Sequence, residues 1–103
     1  MKFNSILVAN RGEIASRIIK TSQKLGLKSI AVYVDADKDA PFVKQADEAI
    51  KISDGGYLDI DAIINAAKIS KAEEIHPGYG FLSENSLFAK KIKKEKLIWI
   101  GPG

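Results

Sequence analysis

Apolar positions along the chain alternate between short continuous runs and longer stretches at helical spacing. Ser5-Ile-Leu-Val-Ala9 is a run of the first kind, and the lack of polar alternation predicts a strand covered on both faces of a parallel sheet. From Glu13 to Leu25 the pattern changes: Ile14, Ala15, Ile18, Ile19 and Leu25 share one stripe, with Arg17, Lys20 and Lys24 opposite. That spacing predicts an amphipathic helix ended by Gly26. Ser29 to Val34 reads as a second strand and Glu48 to Ile52 as a third, with a short helix from Phe42 to Ala46 after Pro41. After a turn over 53–56, Asp59 is placed to cap a helix carrying Ile60, Ile63, Ile64 and Ala67 on one side. Glu74 to Pro77 predicts a weak fourth strand, Ser83 to Ser86 open a helix through Leu87, Phe88, Ala89 and Ile92, and Leu97 to Ile100 predicts a fifth strand. The alternation predicts an α/β fold, a Rossmann-like three-layer parallel sheet of about five strands flanked by helices, with binding groups at the carboxyl ends of the strands.

Length and composition narrow the class. At 103 residues there is room for one domain, 1–103, with a real core. Hydrophobic residues at 46% and charged residues at 28% match a soluble globular chain rather than a disordered or membrane one. The net charge of +3 arises from 16 basic and 13 acidic residues spread along the sequence, so neither nucleic acid nor a membrane is the expected partner. With zero cysteines, disulfides and thiol chemistry are excluded and a reducing compartment is expected. Cytoplasm is the expected location, and a mitochondrial matrix protein whose presequence has been removed would look the same.

Three segments could carry chemistry. Ala9-Asn10-Arg11-Gly12-Glu13 lies where the first strand turns into the first helix, a place where backbone N–H groups meet ligands in doubly wound folds. A dinucleotide loop needs several glycines there, and this turn has Gly12 alone, so Asp35 is not expected to be a ribose-binding acid. Asn10 and Arg11 have two readings, a pocket role or a turn fixed by side-chain bonds to nearby backbone. In His76-Pro-Gly-Tyr-Gly-Phe-Leu-Ser-Glu-Asn85, two glycines flank Tyr79 after a predicted buried strand, where backbone can approach a ligand closely. His76 has no Cys and no second His with which to build a metal site, and Glu84 is either a functional acid or a complement to a helix dipole. Lys90, Lys91, Lys93, Lys94 and Lys96 surround a helix without interleaved aromatics and read as a solvated face.

Taken together, Ile6 to Ala15, Ala31-Val-Tyr33 with Asp35 to Asp39, Ala46 to Ala49, Tyr57-Leu58 and His76 to Asn85 resemble the opening domain of biotin carboxylases. Gly101-Pro102 is similar to the point where that family passes into its ATP-grasp region. The resemblance implies an ATP-dependent ligase that uses bicarbonate and Mg²⁺ or Mn²⁺ to carboxylate biotin on a carrier protein or domain, for delivery by a carboxyltransferase. It implies biotin contacts at Tyr79 and Gly80 and pocket or supporting roles for Asn10, Arg11 and Glu84. Catalytic and metal-binding residues are implied to lie downstream, so this segment alone is expected to be inactive. Arg17 and Lys20 match a homodimer contact of some members. Lys24 stands where a bacterial dimer has an acid, so the resemblance implies a pairing weakened or absent here; separately, the loop 53–56 is shorter than usual, and the family's role for that loop is not carried over.

Two other classes compete with this reading. A free-standing ligand-binding module of Rossmann type is disfavoured by the single glycine after the first strand. A phospho-receiver domain would need an acid pair after that strand and an acceptor Asp after the third, where Asn10-Arg11 and Ser53 stand.

Overall fold

The computed structural model describes residues 4–53, 56–77, 86–94 and 98–99. Five strands, β1 (Ser5–Val8), β2 (Lys28–Tyr33), β3 (Glu48–Lys51), β4 (Glu74–His76) and β5 (Ile98–Trp99), form a parallel sheet in the order β3-β2-β1-β4-β5. Four helices connect them, α1 (Gly12–Lys24), α2 (Pro41–Gln45), α3 (Ile60–Ser70) and α4 (Ser86–Lys94). The sequence pattern thus predicts these five strands and four α-helices in order, with ends displaced by one residue or a few, but not the 3-10 turns at Asp35–Asp37 and Gly56–Leu58.

β1 is central, and all four of its residues are buried, which is why it reads as an uninterrupted apolar run. β3 lies at an edge and alternates between half-buried and exposed positions. The chain moves outward from β1 through β2 to β3, then returns to the other side for β4 and β5. Right-handed crossovers then put α1 and α2 on one face and α3 and α4 on the other. Side-chain bonds agree: Ser16 Oγ donates to Gln45 Oε1 at 2.5 Å, joining α1 to α2, and Lys91 Nζ meets Asp61 Oδ1 at 2.7 Å, joining α4 to α3. Leu7, Val8, Ile30, Val32, Ile63 and Ile75 are among the buried residues of the core.

Helix ends follow local chemistry. The Asp59 carboxylate accepts the Ala62 N–H at 3.0 Å and starts α3 as its sequence position predicts. α1 ends with Leu27 N–H donating to Ser22 O and Gly26 N–H to Gln23 O, and Gly26 takes φ +81°. Leu25 corrects the expected apolar stripe: it is 72% exposed, because the helix stops at Lys24 and Leu25 belongs to the terminating turn. α3 ends in the same hydrogen-bond pattern with Lys71 at φ 60°, a left-handed position held by a residue other than glycine.

Candidate functional site

The reversal of direction in the sheet falls between β1 and β4, the topological switch point at which doubly wound folds bind ligands. Asn10 sits at that switch point. It is 1% exposed; its Nδ2 donates to Pro77 O at 2.6 Å, and its Oδ1 accepts the Arg11 N–H at 2.8 Å. Just before it, Ala9 N–H donates to His76 O at 2.8 Å. The local bond is the one expected of a turn-fixing side chain; the second joins two strand exits 67 residues apart. Pro77 is buried and leads directly into the glycine- and tyrosine-bearing segment.

Arg11 turns the other way, toward β2. Its Nε and Nη2 donate to Asp37 Oδ2 and Oδ1 at 2.7 and 2.6 Å, a bidentate pair that matches the planar fork to the carboxylate. Tyr57 Oη donates to Asp37 Oδ2 at 2.7 Å and accepts the Val34 N–H at 3.3 Å. The Arg11 guanidinium carbon lies 5.9 Å from the centre of the Tyr57 ring, within reach of a cation–π contact. Hydrogen bonding from Arg11, then from Tyr57, holds the Asp37 carboxyl below the usual range against the effect of burial. Burial, reinforced by Asp37, pushes the Tyr57 phenol up to about 12. These three side chains, with Val34, Asp35 and Gly56, line an open depression of about 480 Å³.

In the sequence, Asp37 and Tyr57 stand out only as parts of the Asp35–Asp39 and Tyr57-Leu58 motifs. Their pairing with Arg11 joins positions 26 and 20 residues apart, and no local spacing rule reveals it. The signal available was the acid-rich stretch after the second strand together with an isolated tyrosine near the third. Asp35 is exposed and ion-paired to Lys51 at 3.5 Å. His76 is half-buried, and desolvation lowers its pKa. Tyr79, Gly80 and Glu84 lie outside the described residues. Arg17 and Lys20 are exposed on α1, and Arg17 is paired with Glu13 at 3.7 Å on its own helix. On α4, Lys90, Lys93 and Lys94 are exposed around buried Ile92, in agreement with a solvated face.

The described residues do not fit an ATP-bound Mg²⁺ or Mn²⁺ ion. Among them no three His, Cys, Asp or Glu side chains converge, and the buried carboxylate at the strand ends, Asp37, is occupied by Arg11 and Tyr57. No helix among them is long and apolar enough to cross a membrane.

The parallel order with its switch point between β1 and β4, joined there by the Asn10 side chain, defines a Rossmann-like domain. Residues 2–103 match the family model for the biotin carboxylase N-terminal domain, and the chain belongs to that family. It is 55% identical to biotin carboxylase 2 of Bacillus subtilis over 104 aligned residues, which cover 97% of the chain and 23% of that protein. A crystal structure of a biotin carboxylase beta-gamma-ATP complex from Campylobacter jejuni superposes with a TM-score of 0.95 at 50% identity, covering 99% of the chain and 24% of that structure. The biotin carboxylase domain dimer of the Hydrogenobacter thermophilus 2-oxoglutarate carboxylase, solved with MgADP, ADP and bicarbonate, superposes with a TM-score of 0.94 at 43% identity, covering 99% and 23%. The chain spans about a quarter of the length of these proteins.

Proposed function

We propose that this domain works within a biotin carboxylase that uses ATP and bicarbonate to carboxylate biotin on a carrier protein or domain, before a carboxyltransferase passes the group on. The observation that carries the reading is the family match over 2–103, supported by 55% identity to a biotin carboxylase across nearly the whole chain. The domain's share is one wall of the biotin pocket, with Tyr79 and Gly80 as the contacting residues and the turn at Asn10 and Arg11 as its support. ATP and its divalent ion bind in other parts of the complete enzyme. Arg17 and Lys20, both exposed on α1, stand at the homodimer contact of that enzyme, a contact weakened here by Lys24.

The test replaces Tyr79 in the complete enzyme. Tyr79→Ala removes one aromatic contact, so biotin-dependent carboxylation at low biotin falls by a factor of about ten to a hundred. ATP hydrolysis measured without biotin stays close to wild type. Equal loss of both activities would make Tyr79 a packing residue and refute the pocket assignment.

A further inference from the structure

β1 and β4 run side by side as far as Val8 opposite His76, and the Ala9 N–H to His76 O bond adds one more rung. Beyond that, in sequence, β1 is followed by the turn before α1 and β4 by Pro77 and the segment from Gly78 to Asn85. At this point the Asn10 side chain takes the place of the backbone, donating to Pro77 O while accepting from Arg11 N–H. These opposite demands fix the orientation of its amide, since Arg11 N–H needs an acceptor and Pro77 O a donor. Ser or Asp would satisfy the turn alone. The carboxamide adds the link to Pro77, two residues before Tyr79.

We propose that Asn10 is a positioning residue for biotin, setting through its bond to Pro77 O where the segment bearing Tyr79 and Gly80 leaves β4. This rests on the biotin-pocket reading above. Asn10 need not touch biotin; it ties the exit of one strand to the buried end of the central strand, and the displacement of a contacting side chain is felt as weaker binding.

The experiment uses the complete enzyme with free biotin as the acceptor. Asn10→Asp keeps an acceptor for Arg11 N–H and removes the donor to Pro77 O; Asn10→Ser does the same without a buried charge. Ile63→Val, a core truncation on α3, controls for loss of stability. Losing one buried neutral hydrogen bond predicts a rise of about tenfold in KM for biotin in both Asn10 variants. KM for ATP and the biotin-independent ATP hydrolysis stay within about twofold of wild type, as they do in Ile63→Val. A parallel fall of all activities, an unchanged KM for biotin, or failure of both Asn10 variants to fold overturns the proposal. Tyr79→Ala, run beside them, separates the two ideas: if it raises KM for biotin and the Asn10 variants do not, positioning fails and the pocket stands. If Tyr79→Ala leaves that KM unchanged, the pocket reading fails and the positioning role with it.

Discussion

Asp37→Asn tests the network that fastens the turn after β1 to the exit of β2. The wild-type carboxylate accepts two N–H groups from Arg11 and one hydroxyl from Tyr57, at 2.6 to 2.7 Å, and Asp37 is 8% exposed. Asn offers one oxygen in place of two, and its NH₂ faces a donor from Arg11 or Tyr57 wherever it turns. A hydrogen bond to a charged group contributes about 1.5–3 kcal/mol, and at least one is lost. The Arg11 side chain is 51% exposed and recovers part of the loss by solvation, which holds the expected destabilisation to about 2 kcal/mol. For a domain of this size that lowers Tm by about 8–16 °C. Urea unfolding of the purified chain followed by circular dichroism gives the free energy directly, and a repeat across pH gives its cause. Asp37 has a folded pKa below its unfolded value, so its contribution is complete above the ordinary carboxylate pKa of about 4. As pH falls through that value the unfolded state takes up the proton first, and the contribution is lost on the way down to the folded pKa. The gap between wild type and Asp37→Asn therefore narrows in acid. A difference under about 0.5 kcal/mol at neutral pH, or one that does not change between pH 7 and pH 2, would show a solvent-screened contact and refute the reasoning.

Two further changes probe the helix ends. Asp59→Ala removes the acceptor for Ala62 N–H at the start of α3 and is expected to cost about 1 kcal/mol in the same urea assay. At the two left-handed termini the expected signs are opposite. Gly26→Ala destabilises by about 1 kcal/mol through backbone strain, since no atom lies within 4 Å of the added carbon, whereas Lys71→Gly stabilises by up to about 1 kcal/mol. Equal effects of one sign at Gly26 and Lys71 would mean that their φ angles do not govern these turns.

Much of this fold is legible from one dimension because each element satisfies a local rule. A strand buried on both faces has no polar positions to show, so Ile6 to Ala9 announces itself as central. An amphipathic helix must repeat its apolar residues every three or four positions, and Asp59 must stand where an unpaired N–H needs an acceptor. Motif content also carried the family, because the runs at 9–13 and 76–85 occur together in order. Periodicity alone misplaced Leu25, because a helix stripe does not show where the stripe ends until Gly26 and Leu27 close the turn.

Tertiary structure decided the rest. Sheet order places β1 between β2 and β4, and only that arrangement brings Asn10 to Pro77 and Arg11 to Asp37 and Tyr57. The sequence by itself left Asn10 and Arg11 with two roles each, since an amide or guanidinium can bond to whatever the fold puts beside it. Side-chain identity sets which hydrogen bonds a residue can make, a local property of its donors and acceptors. Which partner takes them depends on strand order, set by burial summed over the whole chain, and on crossover direction, set by strand twist, and neither carries a mark at the residue itself.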